Sequence, residues 1–275
     1  MTDTGTEIRV GVFDSGIGGL TILDACVRLN PDCTFFYLGD NGRAPYGSRR
    51  PEEIVSFVRE ALDRFAKLKV DAVVLACNTA TAVCADVLRT EYSFPIVGVE
   101  PAVKPASDWC ERILVLATPR TAEGERLQLL LKRFPERQFT VYAAEGLAAA
   151  VEDRFLRGKP LELSEHLPQG DFDGVVLGCT HYSFLRREIS AFYDAPVFDS
   201  ALGTAKRLNF ILKEESQRRG EQEKPKKIGI LNHSQPKPNP NNCFSQNQKK
   251  KGDFRVFFLG EYEKPNKYLY ECHFS

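Results

Sequence analysis

Residues 73–81 read VVLACNTAT, and residues 175–183 read VVLGCTHYS. A short, β-branched apolar run that ends on a cysteine therefore occurs twice, 102 residues apart. Each copy follows an Asp-containing pair, Val70-Asp71 in one and Phe172-Asp173 in the other. A continuous apolar run of this length, without alternation, reads as a parallel strand buried on both faces. In open α/β sheets, ligands gather beyond the carboxyl ends of the strands. The repeat thus predicts two thiols, Cys77 and Cys179, at two comparable mouths.

The surrounding pattern agrees with this reading. Strand-like runs at 8–13, 34–38, 70–76 and 95–99 alternate with helical stretches that run to about residue 29, from 51 to 68, and from about 79. A second series has strands at 112–118, 138–144, 172–178 and 196–200. Helices start near 121, end near 156 and run over about 201–219. Alternation of this kind predicts mainly parallel sheets covered by helices on both faces. The expected fold class is α/β, with two pseudo-symmetric open, mainly parallel domains and the active site in the cleft between them. The first domain is expected over residues 1–98 plus 208–275, and the second over 99–207.

Length and composition suit this plan. The chain has 275 residues, 43% of them apolar and 27% charged, as in a globular protein with a sizeable core. No apolar run is long enough to span a bilayer, and residues 1–7 (MTDTGTE) lack the features of an export signal. The expected location is cytoplasmic, which favours reduced thiols for the eight cysteines. There is no CxxC pair and the four histidines are scattered, a pattern that argues against zinc.

The zero net charge hides an asymmetry. Residues 1–223 carry 27 Lys/Arg against 33 Asp/Glu, whereas residues 224–252 carry seven lysines and no acid. With four prolines and few large apolar residues, 224–252 is expected to be an extended loop. Residues 254–259 (FRVFFL) should add a strand.

DSGIGG at 14–19 follows the first strand and opens a helix. The spacing lacks the third glycine of a dinucleotide fingerprint, and no Gly-Lys-Ser/Thr follows. It does supply a carboxylate and a hydroxyl beside free backbone N–H groups, which suits a small zwitterion. The plainer alternative is that Asp14 or Ser15 caps the helix. Cys26 and Cys84 read as small buried hydrophobes. Cys77 and Cys179 differ because they recur in matching contexts before helical segments, where a helix N-terminus is expected to lower a thiol pKa from about 8.5. Two thiols facing across a cleft suit inversion at a carbon centre, with a base on one face and an acid on the other. A single Cys–His amidase would leave the second thiol unexplained.

FDSGIGG, GDNGRAPYGSR, LACNTATA, PIVGVEPAVKPA, LGCTHY and FDSALGTA, in that order, resemble the glutamate racemase family from about residue 9 to residue 210. The resemblance implies a cofactor-independent amino-acid racemase that supplies D-glutamate for bacterial peptidoglycan, and a homodimer. Matched motif by motif, it implies that Cys77 and Cys179 are the catalytic thiols and that Asp14 and His181 assist them. Glu152 matches a further auxiliary carboxylate, although EGLAAA replaces the proline-rich lead-in expected before it. The substrate-contacting residues implied are Asp14, Ser15, Tyr46, Gly47, Asn78, Thr79, Thr180 and His181. The family pattern is lost after about residue 223.

Two other readings follow from the residues. One is an aspartate racemase of the same fold, because a single methylene is worth only about 1–3 kcal/mol of discrimination. The other is a binding protein that uses the basic 224–252 segment on nucleic acid or an acidic partner. The intact thiol pair argues against the latter.

Overall fold

The computed structural model describes residues 7–222 and 254–258. The expected loop at 224–252 lies outside the described residues. Nine strands and nine α-helices are described. The first half contains β1 (Ile8–Asp14), α1 (Leu20–Leu29), β2 (Cys33–Gly39), α2 (Pro51–Lys67), β3 (Ala72–Leu75), α3 (Asn78–Glu91) and β4 (Ile96–Gly98). The second contains α4 (Val103–Ser107), β5 (Arg112–Ala117), α5 (Pro119–Ala122), α6 (Glu125–Leu131), β6 (Gln138–Ala143), α7 (Leu147–Arg157), β7 (Gly174–Gly178), α8 (Arg186–Tyr193) and β8 (Val197–Phe198). The chain then returns through α9 (Ala201–Gln222), and β9 (Phe254–Phe258) pairs with β2.

All strand pairs are parallel. The sheet orders are β4-β3-β1-β2-β9 and β6-β5-β7-β8. Read by position within its own half, each sheet runs fourth, third, first, second, and this is the duplication expected from the repeated VVLxC run. Each thiol follows the third strand of its sheet.

Burial on both faces explains why these strands read as unbroken apolar runs. In the first sheet, Val10, Val12, Phe35, Tyr37 and Val74 face α1 and α9, while Phe13, Phe36, Val73 and Leu75 face α2 and α3. In the second, Leu114, Leu116, Val175 and Leu177 face α7 and α8, and Ile113, Val115 and Val176 face α4 and α6. The boundary expected after residue 207 falls inside α9, whose Ala205, Leu208 and Leu212 pack in the core of the first half.

Local chemistry places the helix starts. α2 begins at Pro51, with Glu53 folding back onto the Arg50 N–H as a capping box. The helix expected from about residue 121 is instead two pieces, α5 and α6, separated at Gly124. The six cysteines of the described residues are free and buried, with Cys26 and Cys84 in the apolar core. No helix among the described residues is long and apolar enough to cross a membrane.

Candidate active site

The carboxyl ends of β1, β3, β5 and β7 converge on one set of buried polar side chains. β1 ends at Asp14, which is fully buried. Its Oδ2 accepts the Gly16 N–H at 2.8 Å, and its Oδ1 accepts the Thr180 hydroxyl of the other half at 3.2 Å. Helix α1 starts after Gly19 with no side-chain cap, so Asp14 and Ser15 do not serve as its N-cap. Burial raises the Asp14 pKa, opposed by the charge of His181 and by the N–H groups of Gly16 and Gly19.

Cys77 is the N-cap residue of α3 and is 5% exposed. Its sulfur accepts the Ala80 N–H at 3.5 Å and lies 3.4 Å from Ser15 Oγ. A helix start was expected to make this thiol acidic. The structure reverses that expectation: burial, followed by the nearby Asp14 charge, pushes Cys77 up to about 12. The Ser15 hydroxyl and the Ala80 N–H pull the other way, but desolvation outweighs them. Cys179 is close enough to add to the rise.

Cys179 follows β7 and is also buried. The residues after it, Thr180–Leu185, form a 3-10 segment that leads into α8 rather than an α-helix. Its sulfur lies 3.9 Å from His181 Nδ1, and His181 Nε2 lies 2.8 Å from Glu152 Oε1. Burial alone would lower the His181 pKa. Hydrogen bonds and charge from Cys179 and Glu152 win, and hold it well above the ordinary histidine range. Each thiol therefore has its own partner set: Ser15 and Asp14 for Cys77, His181 and Glu152 for Cys179.

The DSGIGG turn is a saddle for the second half. Glu152 Oε1 accepts the Ile17 N–H at 3.1 Å. A Cβ on Gly16 would lie 1.7 Å from that oxygen, and one on Gly18 would lie 2.6 Å from His181 Nδ1. The glycines thus admit a carboxylate and an imidazole from the other half rather than a phosphate.

The structure also brings together residues that sequence reasoning missed. Thr79 Oγ1 lies 3.0 Å from Thr118 Oγ1 and 3.4 Å from Thr121 Oγ1. Thr118 follows β5, the counterpart of β1, so its place at a strand end was the available signal. Asn41, which follows β2, donates to Glu152 Oε2 at 3.5 Å. Asn78 is 4% exposed, yet neither of its amide atoms is paired within the protein. It lines a cavity of about 470 Å³ together with Thr121, Glu100 and Arg126. A cavity of about 1110 Å³, among Arg89, Lys104, Arg133 and Lys206, contains neither thiol, so volume alone does not locate the chemistry. Tyr46 is buried with its phenol bonded to Asp40, leaving main chain at 46–47 to face the second half.

Residues 20–208 match the family described as Asp/Glu/hydantoin racemase. A glutamate racemase of Clostridium botulinum is 34% identical over 220 residues, covering 75% of this chain and 84% of its own. The crystal structure of Escherichia coli glutamate racemase, in complex with L-glutamate and the activator UDP-MurNAc-Ala, superposes with a TM-score of 0.70 at 31% identity. It covers 75% of this chain and 83% of its own. A Bacillus anthracis glutamate racemase isoform gives a TM-score of 0.68 at 32% identity, covering 76% and 83%.

Proposed function

The chain belongs to the Asp/Glu/hydantoin racemase family, and on that premise we propose that it interconverts L- and D-glutamate by two-base proton transfer between Cys77 and Cys179. The observation that carries this reading is the pairing of two buried thiols at equivalent strand ends, each with a separate set of polar partners. In the peptidoglycan-building context that the resemblance implies, the product is D-glutamate.

In one direction the Cys77 thiolate takes the α-proton and becomes a thiol. The Cys179 thiol then gives its proton to the opposite face of the planar carbanion and becomes a thiolate. The reverse reaction exchanges the roles, so atoms and charge balance over a turnover. By family analogy Cys77 deprotonates the D-enantiomer and Cys179 the L-enantiomer. In the free protein Cys77 holds its proton, because burial and Asp14 push it to about 12. The substrate ammonium brings a positive charge to this end of the cleft, which favours both the Asp14 carboxylate and the thiolate, the Cys77 proton passing to solvent as the substrate binds. At the other end, a His181 cation held by Glu152 stabilises the Cys179 thiolate. Asn78, Thr79, Thr180, Ser15 and the main chain at Tyr46 and Gly47 hold the two carboxylates, so only the α-carbon lies between the sulfurs.

The test is proton exchange at that carbon. In heavy water, without pyridoxal phosphate, the protein should interconvert both enantiomers of glutamate and introduce deuterium at Cα. Absence of exchange with either enantiomer overturns the proposal. Exchange with aspartate alone would reassign the substrate while leaving the two-thiol chemistry intact.

A further inference from the structure

Asp40, 1% exposed at the carboxyl end of β2, belongs to neither thiol's partner set. Its Oδ2 accepts the Tyr46 phenol at 2.5 Å and the Arg43 Nε at 2.6 Å. Arg43 continues to Glu60 of α2 at 2.9 Å, and its guanidinium lies 4.2 Å from the centroid of the Phe57 ring. The Tyr46 ring is clamped between Phe13 and Phe57, with centroids 6.2 and 5.8 Å away. Asp40 is also tied by its main chain, its N–H donating to the Asp14 carbonyl at 3.0 Å.

Burying a carboxylate costs several kcal/mol before its partners repay it, and an apolar replacement is often as stable. What two short charge-assisted bonds supply is a defined geometry. The geometry defined here is that of the 46–47 main chain. Gly47 approaches the second half so closely that a Cβ on it would sit 3.0 Å from Thr118 Cβ. Two residues on, the Arg49 carbonyl accepts a bond from Arg120 of α5 at 3.2 Å.

We propose that Asp40 is a positioning residue: through the Tyr46 phenol it fixes the 46–47 main chain that receives one carboxylate of the substrate. Arg43 and Glu60 anchor it to α2. The role rests on the reading of the cleft as a glutamate site. It predicts an effect on substrate binding with little effect on the proton transfers, which belong to the thiols and their partners.

The experiment compares the full chain with Asp40→Asn, Tyr46→Phe and the double variant. It measures steady-state kinetics with both glutamate enantiomers, D-glutamate binding by calorimetry, and melting temperature. Each single variant should raise KM and Kd about tenfold with kcat within about threefold. The double variant should be no worse than Asp40→Asn alone, because the two side chains act as one unit. Wild-type KM in Asp40→Asn, additive effects, or a fall in kcat at unchanged KM overturns the proposal. If Asp40→Asn does not fold, Tyr46→Phe, which keeps the ring in place, decides: wild-type KM there overturns it equally. A wild-type chain that neither binds nor exchanges glutamate overturns the reading of the cleft itself, before any variant is compared.

Discussion

Glu152 and Gly16 share one small space: the carboxylate of α7 in the second half occupies the position that a side chain on Gly16 would need, 1.7 Å from its ideal Cβ. The same oxygen holds His181 at 2.8 Å. The glycine of the first half thus sets where the partner of the second thiol can stand.

Gly16→Ala should therefore act on Cys179 chemistry without touching Cys179. The methyl group displaces Glu152, and His181 shifts with it. A misplacement of about 1 Å in such a constellation costs about 100-fold in rate. We expect that loss in kcat, with a folded protein by circular dichroism. Activity within a few-fold of wild type would show that the carboxylate is not needed where it stands.

Cys77→Ser and Cys179→Ser should each abolish racemisation, by about 10³-fold or more, because every turnover uses both thiols. The variants should differ in which enantiomer still exchanges its α-proton with heavy water. Cys179→Ser should retain slow exchange of D-glutamate, and Cys77→Ser of L-glutamate. Near wild-type racemisation by either variant would refute the two-base assignment.

The elevated Cys77 pKa has a direct readout. With its thiol pushed to about 12, Cys77 is protonated in the free protein at pH 8, and only the thiolate alkylates. Iodoacetamide labelling of the Cys77 peptide, followed by mass spectrometry, should be slow at pH 8 and rise with pH through at least pH 10. Rapid labelling at pH 7 would show that the helix start outweighs burial after all.

His181 links pH to stability. Its pKa in the folded protein is raised above the ordinary value of 6.5, so its contribution is fully present below about pH 6.5. That contribution is lost as pH climbs through the folded value. Glu152→Gln removes one cause of the rise. Denaturant titrations between pH 6 and 9 should show the variant losing most stability, relative to wild type, at the acid end of that range. A difference independent of pH would mean that Glu152 stabilises the fold without holding the imidazolium.

Much of this arrangement is legible in the chain because it depends on local pattern. Val73–Leu75 and Val175–Leu177 are apolar without alternation since both sheet faces are covered, and the residue after such a strand falls where ligands collect. Hence Asp14, Ser15, Cys77 and Cys179 could be singled out from strand ends, whereas Asn78, Thr79, Thr180 and His181 came from the motif resemblance. FRVFFL likewise reads as a strand, and Phe254–Phe258 pairs beside β2.

Other members of the site carry a weaker local signal, or none. Glu152 lies mid-helix in α7, where an acidic residue usually marks a solvated face, and only the crossing of α7 over Gly16 buries it. Thr118 and Thr121 gain meaning by meeting Thr79, 39 and 42 residues away in the chain. Asp40 gains its meaning from Tyr46 and Arg43 closing over it.

The sequence by itself therefore determined the duplicated α/β plan and the two thiols at matching strand ends, since periodicity and motif order are properties of the chain. Tertiary structure decided the acidity of Cys77 and the partners of both thiols. A helix start predicts an acidic Cys77, yet the assembled core removes water from it and sets Asp14 nearby, raising the thiol instead. Desolvation and charge proximity depend on what fills the space around a group, and that space exists only once the chain has folded.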